Sequence, residues 1–216
     1  MERRQKIALF TTLALVGGVL AYIGYKATRP SRKGRKSAQI AIGEWGAWGK
    51  GSVKEGDSRT MGRLRKYWRE GAGVNNWSDS KMVSEPWSAA FISYVMKKGG
   101  AGDDFKYNAS HSVYIRDAIN NRKQNLNKRI KGYRPSEVKV EVGDLICAGR
   151  SNSRPTYDTT GRYSSHCDIV VEVDERNVAR MIGGNVSNSV SSKTLALDNQ
   201  GRVDESKYFV VIKNKK

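Results

Sequence analysis

The stretch EPWSAAFISYVMKK at residues 85–98 decides the fold that we expect for this chain. After Pro86 the apolar residues recur at spacings of three and four, which predicts a helix that buries one face. Ser88 then lies at or beside the N-terminus of this helix. Such a position offers free backbone N–H groups and the positive end of the helix dipole, so Ser88 is a candidate for either a helix cap or a nucleophile. Residue statistics favour the cap, and only the rest of the chain can favour the nucleophile.

The composition fits one ordinary domain with a basic N-terminal appendage. The chain has 216 residues and a formal net charge of +18. Residues 1–36 hold nine of the 39 Lys and Arg residues against a single acid, Glu2, so a large part of the excess charge belongs to this segment. The remaining basicity suits any polyanion, whether nucleic acid, phospholipid headgroups or an anionic cell-wall polymer.

The two cysteines, Cys147 and Cys167, indicate neither a disulfide framework nor a metal site, because there is no CxxC motif and no cysteine–histidine cluster. Both lie in apolar, strand-like runs, so we expect buried, inert thiols. No cofactor is expected. Nucleic-acid binding would be nonspecific at most, since it rests on charge alone and no recognition motif is present.

A transmembrane anchor is predicted near the N-terminus. After the basic residues 1–6, residues 7–25 contain no charge, and a helix of that length is about 28 Å long, enough to cross the hydrocarbon core of a bilayer. A cleaved signal peptide is the alternative, but no cleavage site of the usual type follows. Residues 26–37 are expected to form a basic linker, whose cations at 26–36 could bind anionic lipid headgroups.

This segment predicts a single-pass membrane protein, in a cell membrane or in the internal membrane of a virion. Six cations follow the span and three precede it, so the positive-inside rule would leave the C-terminal domain in the cytoplasm. That orientation disfavours a simple enzyme of the periplasm.

The globular domain is expected at residues 38–216, with helices first and a sheet after them. From Pro135 the apolar period changes to two, which predicts an α+β fold with helices packed on a small antiparallel five-stranded sheet or barrel. The five β-rich runs are residues 138–149, 166–174, 177–185, 189–197 and 207–215. The long polar loop 150–165 leads to His166 and is expected to be functional or disordered.

Four short motifs follow one another along the predicted domain. They are WSAAFISYV at 87–95, GDLI at 143–146, HCDIVV at 166–171 and GGN at 183–185. In type and order this set resembles the papain-like cell-wall peptidase superfamily of the NlpC and CHAP domains. It resembles more closely an uncharacterised bacterial and phage family, the domain of unknown function 2272, over about residues 38–213.

The resemblance implies a papain-like domain and a catalytic set. It places Ser88 at the nucleophile, His166 at the general base and Asn185 at the residue that orients the imidazole. Ser88 departs from the superfamily, whose nucleophile is a cysteine. A cysteine thiol at a helix N-terminus ionises readily, whereas a serine hydroxyl depends on base-assisted attack.

Five further residues are candidates for lining the cleft: Trp87, His111, Arg150, Cys167 and Asp168. For His111 a buried structural role is the plainer interpretation. Alternation along a strand points Cys167 away from the face that His166 uses.

The leading hypothesis is a membrane-anchored peptidoglycan hydrolase, an amidase or endopeptidase, in a cell or in a phage virion. Peptidoglycan and the lipid bilayer, through residues 7–25, are the expected partners. The alternative is a catalytically silent cell-wall-binding or structural protein of a membrane or virion, with the same fold.

Overall fold

The computed structural model describes residues 32–215, which belong to one compact unit. Its first half is helical. The helices are α1 (Arg32–Ala47), α2 (Ser58–Lys66), α3 (Asp79–Ser84), α4 (Ser88–Lys98) and α5 (His111–Lys123). A π-helical segment, Tyr67–Gly71, continues α2.

Six strands follow the helices and form a single antiparallel sheet. The strands are β1 (Ile130–Tyr133), β2 (Leu145–Gly149), β3 (Ser165–Val173), β4 (Val178–Val186), β5 (Ser189–Ala196) and β6 (Tyr208–Asn214). Their order in the sheet is β1-β6-β2-β3-β4-β5. The chain thus forms an α+β fold, as the change of apolar period indicated.

The prediction of five strands is wrong by one, because the sequence pattern did not reveal β1. This strand has only four residues, and Lys131 and Gly132 interrupt any apolar run. It pairs with β6, where Ile130 faces Asn214 in the register. A Cβ atom added at Gly132 would lie 2.9 Å from the Ile119 side chain, so backbone contact with α5, rather than a side-chain pattern, fixes this strand.

The predicted N-terminal segments require a second correction. The anchor at residues 7–25 and the basic residues 1–6 lie outside the described residues. Between residues 32 and 215 no helix is long and apolar enough to cross a membrane, so the N-terminal transmembrane helix and the localisation as a single-pass membrane protein are not retained. Residues 32–37, predicted as the end of a linker, form the first turns of α1.

Helix α4 lies at the centre of the helical layer and is buried on all sides, not on one face as its period predicted. Every residue from Ser88 to Met96 is buried. The sheet covers one side through β3 and β4, and α1 and the segment Tyr67–Gly71 cover the others. A helix with neighbours on all sides needs no polar face, which explains why its sequence is so apolar.

Two glycines let these neighbours approach α4 closely. A Cβ atom at Gly184 of β4 would lie 2.5 Å from the Phe91 Cβ atom. A Cβ atom at Gly71 would lie 2.5 Å from the Ala90 carbonyl oxygen. At contacts this short a larger residue would force neighbouring atoms to shift, so the position of α4 depends on both glycines.

The expectation of two free thiols is also wrong, because Cys147 and Cys167 form a disulfide. The two residues face each other in the register of β2 and β3. Spacing along the chain could not show this pairing, since it depends on how two strands align across a long loop. Both residues are fully buried in the core cluster beneath the helices, so Cys167 does not line a cleft.

Replacing Gly184 by alanine should destabilise the protein, because the new methyl group would collide with Phe91. We expect the free energy of unfolding to fall by about 1–3 kcal/mol in urea denaturation followed by tryptophan fluorescence. Gly62→Ala is the matched control, since Gly62 is exposed on α2 with nothing within 4 Å of its added Cβ atom. That variant should be as stable as the wild type or more so, by up to about 1 kcal/mol. Equal stability of the two variants would show that β4 and α4 are not in close contact.

Candidate active site

Ser88 is the first residue of α4, and its side chain does not cap that helix. The N-cap position belongs to Trp87, whose side chain makes no capping hydrogen bond. By contrast, Asp57 and Ser78 cap α2 and α3 with their side chains. The Ser88 hydroxyl instead forms a hydrogen bond to a histidine. The geometry therefore argues against a capping role for the Ser88 side chain and is compatible with a nucleophile.

The partner of Ser88 is His111, the first residue of α5. The Ser88 Oγ atom lies 2.7 Å from His111 Nε2, and both residues are buried, with 2% and 5% of their surface exposed. The other ring nitrogen, Nδ1, bonds to the hydroxyl of Tyr114 one turn further along α5. Ser88, His111 and Tyr114 therefore form a buried hydrogen-bonded chain, which we call the serine chain.

All three groups of the serine chain are neutral near pH 7. Burial lowers the pKa of His111 well below its usual value, and His166 and Arg150 act in the same direction while Asp168 opposes them. Burial raises the pKa of Tyr114 well above its usual value, and Asp168 adds to this effect. A neutral imidazole has one free lone pair, which a general base requires.

A second chain, which we call the aspartate chain, contains the predicted base. His166 Nε2 lies 2.9 Å from Asp168 Oδ1, and the Lys193 ammonium group lies 2.7 Å from Asp168 Oδ2. Burial alone would raise the pKa of Asp168, but His166 and Lys193 outweigh it and hold that pKa well below its usual range. Asp168 is therefore a buried carboxylate that stays ionised.

The two chains meet at their histidines. The ring centroids of His111 and His166 are 5.4 Å apart. Within residues 32–215, Ser88 makes no hydrogen bond to His166. Asn185 lies at an irregularity of β4 with a φ of 55°, and its side chain makes no hydrogen bond in the described part of the chain. The structure thus brings Ser88 and His166 into one region, but it does not join Ser88, His166 and Asn185 as the predicted triad would require.

A cavity of about 420 Å³ opens beside Ser88. Of the predicted cleft residues, His111 and Arg150 line it. Trp87 is stacked on Trp48 in the core with ring centroids 4.9 Å apart, and its indole N–H bonds to Glu55. Neither Asp168 nor the predicted base His166 is among the residues that line this cavity. The walls that remain are mainly small and polar, from the loop between β2 and β3 and the segment before α5.

Sequence reasoning did not predict that His111 is the hydrogen-bond partner of Ser88. The chain has only two histidines, so either could be the partner of Ser88. The motif order pointed to His166, while His111 was only a candidate for lining the cleft, with a buried structural role as the plainer interpretation. Helices α4 and α5 both begin at this cavity, and that meeting of two helix N-termini is a tertiary feature without a local sequence pattern. Tyr114 and Lys193 were missed for the same reason.

Residues 53–215 match the family described as "Uncharacterized protein conserved in bacteria (DUF2272)". The chain belongs to this family. The predicted resemblance to it is confirmed, and the match spans both hydrogen-bonded chains. No match was found among curated proteins or solved structures. The family description gives no activity, so the function has to be argued from the site.

The neutral state of His111 predicts a pH dependence of stability. Below about pH 6.5 the unfolded chain binds a proton at this histidine and the folded protein does not, so the free energy of unfolding should fall with decreasing pH. The contribution of this group is at most about 1.4 kcal/mol per pH unit. We expect His111→Gln to remove it when urea denaturation is compared at pH 7, 6 and 5.

Asn120→Gln, an exposed and non-titrating position on the same helix, is the matched control and should keep the wild-type slope. Asp144, whose pKa burial raises to about 6 despite Lys213, has the opposite pH dependence, but it is present in all three proteins and cancels in the comparison. If the slope of His111→Gln equals that of the wild type, His111 is not buried in its neutral form.

Proposed function

We propose that the protein is a hydrolase that cleaves amide bonds in the peptide part of peptidoglycan, with Ser88 as the nucleophile. The observation that carries this proposal is the 2.7 Å contact between Ser88 Oγ and His111 Nε2, at the uncapped N-terminus of α4 and beside a cavity. A serine hydroxyl next to a neutral imidazole is the arrangement that base-assisted attack requires.

His111 acts as the general base in this mechanism. Its Nε2 atom takes the Ser88 proton while Oγ forms a bond to the carbonyl carbon of the substrate. The imidazolium then gives this proton to the leaving amine as the C–N bond breaks, which leaves an ester on Ser88. A water molecule, deprotonated by the same imidazole, cleaves the ester and restores the hydroxyl.

Two features of the site would stabilise the charges that develop. The first-turn N–H groups of α4, at Ser88 and Ala89, have no hydrogen-bond partner within the described residues and can donate to the oxyanion. The Asp168 carboxylate favours the protonated form of His111 and so opposes the cost of burying an imidazolium. Asp168 therefore supports the base electrostatically in this proposal, whereas His166 acts against protonation of His111.

The substrate class rests on the family resemblance and on charge. The motifs at 87–95, 143–146, 166–171 and 183–185 follow the order of the NlpC and CHAP peptidases, and α4 packs on an antiparallel sheet as the resemblance implies for a papain-like domain. A basic protein suits an anionic cell wall. These points support peptidoglycan, and a papain-like fold is part of the same proposal.

The hydrogen bonds of the serine chain favour a second candidate, a catalytically silent cell-wall-binding protein. Ser88, neutral His111 and Tyr114 carry three protons for two hydrogen bonds. When Nε2 accepts from Ser88, the buried Tyr114 proton lacks a partner, which costs about 1–3 kcal/mol. When Tyr114 donates to Nδ1, Nε2–H donates to Ser88 and the serine proton is free to bond a ligand in the cavity. Ser88 then binds and does not attack.

An activity assay on the full-length protein tests the hydrolase. Incubation with purified peptidoglycan should release new amino groups, and Ser88→Ala should reduce the rate at least about 100-fold. Ser84→Ala, at the exposed end of α3, is the matched control and should retain the wild-type rate. Equal inactivity of the wild type and Ser88→Ala would rule out the proposed reaction.

The choice of base is tested by the two histidine variants. Since Ser88 contacts His111, we expect His111→Ala to reduce the rate as much as Ser88→Ala does, and His166→Ala to reduce it less. The reverse order would make His166 the base, as the family motif implies. Co-sedimentation with peptidoglycan without cleavage, and without labelling of Ser88 by a fluorophosphonate, would favour the silent binding protein.

A further inference from the structure

Arg150 is a cation without a partner on the wall of the cavity. It follows directly after β2, and its side chain makes no hydrogen bond or ion pair within residues 32–215. Its charge nevertheless reaches the site, since it contributes to lowering the pKa of His111. A neighbouring cation in the same loop, Arg154, by contrast bonds to backbone oxygens. Arg150 therefore has all its donors available to a ligand.

Two hydroxyl groups on the same wall also lack partners. Ser165 is only 6% exposed, lines the cavity, and its buried Oγ atom has no hydrogen bond in the described chain. The Tyr163 hydroxyl is in the same situation, and burial raises the pKa of Tyr163 to about 12, so it stays a donor. An unsatisfied buried hydroxyl destabilises the folded protein, and a ligand with acceptor oxygens would recover this cost.

The electrostatic surroundings favour an anion. Helices α4 and α5, of 11 and 13 residues, both begin at the cavity, and neither has a side-chain cap. Their N-termini add partial positive charge to that of Arg150. No Asp or Glu is among the described residues that line the cavity, and the nearby Asp168 is already bonded to His166 and Lys193.

We infer that this cavity binds a carboxylate of the substrate, held by Arg150 with Ser165 and Tyr163 as further donors. The guanidinium group presents two parallel N–H donors that match the two oxygens of a carboxylate. Because Ser88 lines the same cavity, the bound carboxylate lies close to the bond that Ser88 attacks. The inference rests on the proposed function for that bond, and it narrows the substrate to peptides with a free carboxylate beside the cleaved amide.

Binding to the full-length Ser88→Ala protein tests the site without cleavage. The probes are a synthetic peptidoglycan stem peptide with free carboxylates and the same peptide with those groups converted to amides, measured by calorimetry. The free acid should bind at least about 10-fold more tightly, as expected for a charge-assisted bidentate contact. Adding Arg150→Gln should abolish the difference between the peptides, and Arg150→Lys should retain part of it.

Arg162→Gln is the matched control, because this substitution removes the same charge as Arg150→Gln. Arg162 is exposed in the same loop and does not line the cavity. It should leave the preference for the free acid unchanged. The inference is overturned if neither peptide binds, if both bind equally, or if Arg150→Gln and Arg162→Gln have equal effects.

This result is separate from the test of hydrolysis. If the free acid binds through Arg150 but the wild type cleaves neither peptide, the carboxylate site stands and the hydrolase proposal fails. If the wild type cleaves both peptides at the same rate and Arg150→Gln has no effect, the hydrolase stands and the carboxylate site fails.

Discussion

The position of α4 between two glycines is the constraint on which the rest of the structure depends. Gly71 lies against the backbone of α4 on one side and Gly184 lies against Phe91 on another, so the helix fits only where no side chain separates it from its neighbours. This close packing fixes the start of the helix as well as its axis. Ser88 is consequently held at one place relative to the sheet, where its hydroxyl contacts His111.

The site separates neutral from charged groups over a short distance. The serine chain is buried and uncharged, whereas the aspartate chain next to it holds an ionised carboxylate between a histidine and a lysine. A neutral chain alone could not accept a proton at low cost, because a buried imidazolium is poorly solvated. The adjacent Asp168 carboxylate opposes this cost, whereas His166 adds to it.

Local patterns predicted the elements of this fold better than their contacts. The apolar spacing located α4, and the period of two located five of the six strands. Strand β1 was not predicted because its packing uses the backbone at Gly132. The disulfide was not predicted because it depends on strand register. The contact of His111 with Ser88 was not predicted because the two residues lie 23 positions apart, at the starts of different helices. Each miss concerns a contact between elements, on which hydrophobic periodicity carries no information.

The disulfide between Cys147 and Cys167 has a consequence for how the loop between β2 and β3 can tolerate changes in length. It joins β2 and β3 near the two ends of the loop that carries Arg150 and Tyr163, and a backbone hydrogen bond of 3.2 Å from Arg150 to Ser164 joins the loop ends themselves. The base of the loop is therefore closed covalently and the tip is not. Insertions or deletions at the tip can therefore change the rim of the cavity while Arg150 and Ser165 keep their positions.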